Sequence, residues 1–191
     1  MIADSCLNYR KLLFMLNGSR LTLRAITDED LPHYVAWLTD AEVTAHLLTF
    51  MPMNLDDEMD WYEGQRRDRT VLNLAMVVRA EDKHIGSISL QLINHRAQSA
   101  ELGIVIGDKP SWGQGYGQEA IGLLLDFAFQ ELNLHRIYLH VDVSHVAGIQ
   151  CYKKCGFVEE GRLRDATYHH GDFEDQFLMS VLRSEYKKNR S

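Results

Sequence analysis

The residues best placed to do chemistry lie between Trp112 and Ala120, in the run W-G-Q-G-Y-G-Q-E-A. Gly113, Gly115 and Gly117 alternate through it and let the backbone approach whatever is bound there. Upstream, Leu102, Ile104, Val105 and Ile106 form a short apolar run suited to a buried central strand, which Pro110 should end. Downstream, Ile121, Leu124, Leu125, Ala128 and Leu132 recur at helical spacing. A glycine-rich turn that empties into a helix collects unpaired N–H groups and the positive end of the helix dipole. The chemistry it offers is the binding of a phosphate or another anion. A P-loop would need a Gly-Lys-Ser/Thr ending, and a dinucleotide fold would need G-x-G-x-x-G directly after its strand. The spacing here is G-x-G-x-G, several residues past the strand, and fits neither.

The elements that must position this turn can be read along the chain. R-L-T-L-R-A at 20–25 alternates as a half-buried strand. Thr27-Asp28-Glu29-Asp30 offers a cap and first-turn acids, which predicts a helix to about Leu38, with a second short helix after Asp40. Residues 44–54 read as a loop, and Asn54-Leu55-Asp56-Asp57 caps a helix reaching to about Arg69. Residues 71–79 and 84–93 form two strands around Ala80-Glu81-Asp82-Lys83, and Asn94 to Ser99 turns the chain into the strand at 100–107. After the helix, residues 137–143 place Ile137, Leu139, Val141 and Val143 on one face and Tyr138, His140 and Asp142 on the other. A further helix from about Ala147 stops at Gly156, and two strands with a turn at His170-Gly171-Asp172 follow to about Leu182. Strands in sequence, then a helix, then more strands predict a mixed α/β sheet and not a doubly wound one.

Composition narrows the function classes. A chain of 191 residues is long enough for one sizeable core, and a hydrophobic share of 46% beside 25% charged residues is an ordinary globular balance. The net charge of −7 argues against nucleic acid as a partner and favours cationic substrates such as amines. Three cysteines outside any disulfide framework point to a reducing compartment, hence the cytoplasm. Cys151 and Cys155 have no second pair to complete a zinc site, and His169-His170 read as turn residues, so no metal is expected. The apolar run Leu12 to Leu16 is too short to cross a bilayer. Residues 1–19 are therefore expected to be an extension without fixed structure, 20–186 the functional domain and 187–191 a tail.

W-G-Q-G-Y-G-Q-E-A resembles the acetyl-CoA pyrophosphate loop, Gln/Arg-x-x-Gly-x-Gly/Ala, of the GNAT N-acetyltransferases. The likeness is strongest to the ribosomal-protein-alanine acetyltransferase branch, which acts on protein N-termini and small amines. Trp112 takes the first place of that pattern, and Gly115 and Gly117 the glycine places. A second element, C-Y-K-K-C-G-F at 151–157, resembles the family's Tyr-Glu-Lys-x-Gly-Phe. Together they extend the likeness over about residues 20–186. The resemblance implies one α/β domain, with a mostly antiparallel sheet of six to seven strands splayed between the fourth (100–107) and fifth (137–143). It implies acetyl-CoA as cosubstrate and an amine acceptor, with no nucleic acid and no membrane. A dimer is common in the family, and no sequence feature fixes the oligomeric state.

The resemblance also assigns roles. Backbone of Val105, Ile106 and Gly107 would hold the pantetheine arm. Trp112, Gly113, Gln114, Gly115, Tyr116, Gly117 and Gln118 would hold the pyrophosphate. His145 stands where the family usually carries a coenzyme-contacting asparagine. Tyr152 stands where a tyrosine faces the coenzyme sulfur, and a phenol, with an ordinary pKa near 10 against about 8.5 for a thiol, can protonate the departing thiolate. An attacking amine must be neutral, so a base must take its proton. Glu101, at the start of the central strand, and His140, where some members carry a glutamate, are the two candidates. The region between the first two long strands would supply the acceptor pocket, with His46, Phe50, Trp61 and Tyr62 as lining. The reading is direct transfer to a primary amine in a ternary complex. The alternatives are a non-catalytic acyl-CoA sensor and an amino-sugar or polyamine acceptor.

Overall fold

The computed structural model describes residues 14–47, 54–169 and 171–188, so Phe50 and His170 lie outside the described residues. Among these residues eight strands form one sheet: β1 (Met15–Asn17), β2 (Leu21–Ala25), β3 (Leu72–Val78), β4 (Lys83–Asn94), β5 (Ser99–Ile106), β6 (Arg136–Asp142), β7 (Val158–His169) and β8 (Asp172–Leu182). Their order across the sheet is β1-β2-β3-β4-β5-β6-β8-β7. All neighbours are antiparallel except β5 and β6. The expected mixed, mostly antiparallel sheet is present with one strand more than expected. Met15–Asn17, inside the segment read as an unstructured extension, pairs with Thr22–Arg24. Three residues are too few to show an alternation, which is why the strand is invisible in the sequence.

Among the described residues five helices cover the two faces: α1 (Leu31–Leu38), α2 (Leu55–Arg67), α3 (Tyr116–Gln130), α4 (Val146–Lys154) and α5 (Arg183–Lys188). On one face the apolar stripe of α3 (Ala120, Ile121, Leu124, Leu125, Ala128) packs on Leu21, Leu23, Met76, Ile88, Leu102, Ile137 and Leu139, with Ile149 and Tyr152 of α4 at its edge. On the other, α1 and α2 cover Ala75 and Val77 through Leu31, Tyr34 and Tyr62. The caps read from sequence act as expected. Asn54 accepts from the N–H groups of Asp56 (2.8 Å) and Asp57 (3.1 Å), and Asp57 accepts from the Asn54 N–H (3.0 Å). The helix expected from Asp28 begins instead with a 3-10 turn, Asp28–Asp30, before α1. The second helix expected after Asp40 is only turns.

A polar cluster is sealed beneath α1. Asp30 accepts from Arg24 at 2.6 and 2.8 Å, and His84 Nδ1 lies 3.2 Å from the same carboxylate. Burial holds the His84 pKa down, to about 4 against an ordinary 6.5, despite the Asp30 charge. The unfolded chain therefore binds this proton first. Stability is undiminished above pH 6.5 and falls as pH drops toward 4. The expected loss is on the order of 3 kcal/mol from this residue. Urea midpoints measured from pH 7.5 to 4 should show the slope, and His84→Gln should flatten it.

Candidate active site

The site begins where two strands part. β5 and β6 pair in parallel only at Ser99–Glu101 against Arg136–Tyr138. Beyond those three rungs Leu102–Ile106 and Leu139–Asp142 diverge, leaving a wedge at their C-terminal ends. On the β5 side the backbone groups that would have bonded β6 face this wedge. The splay expected between the strands at 100–107 and 137–143 is therefore present. β5 and β6 point Glu101, Tyr138, His140 and Asp142 to the α1/α2 face, opposite the core residues Leu102, Ile137 and Leu139.

The glycine turn closes the mouth of the wedge. After a 3-10 turn at Lys109–Ser111, Gly113 (φ 71°) and Gly115 (φ 82°) take left-handed backbone, and Gly115 caps α3. Glu119 makes the first intrahelical bond, to the Gly115 carbonyl at 3.2 Å. The N–H groups of Tyr116, Gly117 and Gln118 are thus left pointing out of the helix end. The turn is held by its own side chains. Trp112 donates its indole N–H to the Ile106 carbonyl at 2.6 Å, and Gln114 donates to the Pro110 carbonyl at 2.6 Å. Arg20 donates to the Gln114 carbonyl (2.9 Å), covers the Tyr116 ring (4.7 Å) and pairs with Glu119 (2.9 Å). Trp112, Gln114 and Tyr116 therefore shape the turn, and Arg20, which the sequence reading did not single out, braces it. Gln118 is exposed beside an open recess of about 370 Å³ that Lys153 and Lys154 also line.

Of the three residues expected along the strand end, Val105 lies opposite Ser87 in the β4–β5 ladder. The Ile106 carbonyl is taken by Trp112. Gly107 differs most from expectation. Its N–H donates to the Ile85 carbonyl at 3.0 Å, and a Cβ there would fall 2.0 Å from the Trp37 ring. This glycine exists to let Trp37 lie flat against the chain.

The two base candidates come together at the wedge. Glu101 Oε1 and His140 Nδ1 are 2.8 Å apart, both partly exposed, just where the strands separate. The two candidates read as competitors are one pair. Tyr152 on α4 is packed against the core and tilted on Phe157 (5.9 Å). Burial, reinforced by the neighbouring thiols Cys151 and Cys155, pushes its phenol well above the ordinary value, so it stays protonated. Its hydroxyl has no partner among the described residues. Cys151 on α4 and Cys155 at its C-terminal cap, both half-buried, face Gly117 and the Gln118 carbonyl.

His145 precedes α4 as its cap residue, and its ring lies over Gly148. Burial first, then the His46 charge, lowers its pKa and keeps it neutral. His46, expected in the acceptor pocket, stacks on His145 with centroids 4.3 Å apart. Tyr62 is buried, with its hydroxyl on the Ile26 carbonyl at 2.8 Å, and so packs the α2 interface; Trp61 is exposed. His169, read as a turn residue, ends β7 and lies 3.4 Å from Asp142. Its approach follows from the register shift in β7 between Leu163 and Thr167, which no local pattern announces. Among the described residues no cluster of ligands could hold a metal, and no helix is long and apolar enough to cross a membrane.

An outward-pointing helix end, an open strand edge and a carboxylate–imidazole pair at one wedge, with a protonated phenol on α4, suit transfer of a group carried by a phosphate-bearing thioester. The comparisons with known proteins agree. The model of the acetyltransferase (GNAT) domain matches residues 20–158. Spermidine N(1)-acetyltransferase of Vibrio cholerae is 33% identical over 174 residues, covering 91% of this chain and 99% of that protein. The Escherichia coli K12 spermidine N(1)-acetyltransferase is 27% identical over 172 residues, covering 90% and 91%. The crystal structure of the Vibrio cholerae enzyme in complex with CoA and spermine superposes with a TM-score of 0.83 at 32% identity, over 89% of this chain and 99% of that one. The chain belongs to the GNAT acetyltransferase family and is an acetyl-CoA-dependent N-acetyltransferase of primary amines.

Proposed function

We propose that the acceptor is a small polycationic amine of the polyamine class, acetylated by direct attack on bound acetyl-CoA. The observation that carries this reading is the Glu101–His140 pair at the apex of the wedge: a carboxylate and an imidazole 2.8 Å apart can draw in an ammonium group and take its proton. The net charge of −7 and the relatives named for spermidine support the same acceptor. Tyr152 protonates the departing CoA thiolate. The N–H groups of Tyr116, Gly117 and Gln118, with the braced turn from Trp112 to Gly115, hold the pyrophosphate. The open edge of β5 beyond Glu101 holds the pantetheine arm, and Lys153 and Lys154 meet the remaining anionic groups. His145 borders the arm as a neutral imidazole.

A second reading, a protein N-terminus as in the ribosomal-protein-alanine branch, draws on the W-G-Q-G-Y-G likeness. A thiol-release assay with spermidine, spermine, N-terminal alanine peptides, aminoglycosides and amino sugars separates these. Turnover with the polyamines alone is the expected result, and turnover with peptides or amino sugars alone overturns the acceptor. Acetyl-CoA binding without release on any of them would favour a sensor.

The turn offers its own check. A side chain at Gly115 would strain left-handed backbone and meet Arg20 Nη2 at 3.4 Å. Gly115→Val is expected to weaken acetyl-CoA binding about tenfold, the equivalent of the 1–2 kcal/mol strain of a left-handed residue. Calorimetry with acetyl-CoA measures it, with melting to show that the fold persists. A homodimer and a cytoplasmic site complete the proposal. The exposed Val158, Leu163, Tyr168 and Phe173 of the edge hairpin β7–β8 support the former, and the free thiols Cys151 and Cys155 the latter. Light scattering of the purified chain tests the dimer.

A further inference from the structure

Asp142 ends β6 on the acceptor face and is only 2% exposed. Its Oδ1 accepts from Thr167 (3.2 Å) and Gln176 (3.0 Å). Its Oδ2 has no hydrogen bond, yet His46 Nδ1 lies 3.5 Å and His169 Nε2 3.4 Å away. A buried carboxylate oxygen left without a donor is costly, and the imidazoles beside it are the groups able to satisfy it. Nothing in the transfer chemistry requires this cluster.

Its place in the fold gives it a use. His46 belongs to the segment after α1. The other end of that segment is bound by Lys109, whose ammonium pairs with Asp40 (2.6 Å) and Glu42 (3.0 Å). Lys109 follows the end of β5, and Asp142 is the end of β6. These are the two strand ends that have parted. Residues 40–47 therefore run from one lip of the wedge to the other. Val43, between the anchors, is buried and belongs to neither core layer. On the far lip, the His46 ring is nearly parallel to that of His145, at 22°.

We propose that His46 is a positioning residue for acetyl transfer: seated on Asp142 and His145, it latches residues 40–47 across the wedge and so fixes the roof under which the acceptor amine is held. The groups facing His46 are Asp142 from β6, His145 from the cap of α4 and, through the shared carboxylate, His169 from β7. The neutral state of His145 spares the stack a like-charge repulsion. The latch joins the half of the domain carrying α1 and α2 to the half carrying α4, so it governs the acceptor side without touching the reacting atoms.

Three variants test it in the full chain: His46→Ala removes both the stack and the contact with Asp142, His46→Phe keeps the stack, and His46→Asn keeps a donor near the Nδ1 position. Two readouts are combined, namely amide hydrogen exchange of residues 40–47 at pH 7 and steady-state kinetics with the acceptor that wild type uses best. For His46→Ala, exchange in that segment is expected to rise at least about tenfold, with the β-sheet amides unchanged. Acceptor KM is expected to rise about tenfold, while kcat stays within about threefold and acetyl-CoA affinity holds. His46→Asn should recover most of the KM and His46→Phe only part. The proposal is overturned if exchange and KM are unchanged in His46→Ala, or if kcat falls with KM constant. The exchange readout needs no acceptor, so a wrong acceptor class and a wrong latch give different results.

Discussion

Tyr152→Phe is expected to lower kcat by about a hundredfold or more, the range that loss of a general acid commands, while leaving acetyl-CoA binding within about threefold. The geometry makes this a clean substitution. The ring is packed against Phe157 and the α3 layer, so phenylalanine preserves the contact. The hydroxyl has no partner among the described residues, so its removal orphans nothing and the melting temperature should not move. Burial keeps the phenol protonated, which suits a donor and rules it out as the base at neutral pH. Single-turnover measurement of thiol release, with calorimetry for binding, reads the two effects separately. A variant with undiminished release would remove Tyr152 from the mechanism and leave protonation of the thiolate to water.

The second large effect is expected at the base. Glu101 and His140 share a 2.8 Å hydrogen bond where β5 and β6 part, and a pair so close acts as a unit. Glu101→Gln leaves His140 without its negative partner. His140→Gln leaves Glu101 without the group it orients. Either change is expected to cost about a hundredfold or more in kcat/KM, and the double variant little more than the worse single one, as residues acting together are strongly non-additive. A double-mutant cycle on kcat/KM measures this directly. Additive losses would mean that the two groups serve separate steps, and losses under threefold would hand proton removal to bulk water. Each residue is partly exposed, so neither substitution buries a new polar group and the fold should be kept.

The contrast between what could and could not be read in the sequence has a physical origin. The glycine turn is legible because left-handed backbone at Gly113 and Gly115 is a local demand that only certain residues meet cheaply. The strands from 72 to 93 are legible as apolar runs because the sheet is covered on both faces there, and the α3 stripe because burial on one face imposes a period. The alternation that places Tyr138, His140 and Asp142 on one face also holds. What escapes is the meeting of distant, non-periodic pieces. The Glu101–His140 bond depends on the register of three parallel rungs. The surroundings of Asp142 draw on residues 46, 145 and 169, from three separate elements and a shifted ladder. Gly107 resembles a strand-end glycine for a ligand, and only the position of Trp37, seventy residues upstream, shows it to be a packing glycine.

The three parallel rungs between β5 and β6 are also a mechanical fact about the molecule. The β4–β5 and β6–β8 ladders on either side are each at least twice as long, so a short seam runs through the middle of the sheet, as short as the β1–β2 ladder at its edge. Load pulling the sheet apart sideways concentrates there and not at the two ladders that flank it. The line along which the enzyme opens to admit its substrates is thus also its tear line, and a protein engineer seeking to divide the chain into two reassembling fragments has a natural place to cut.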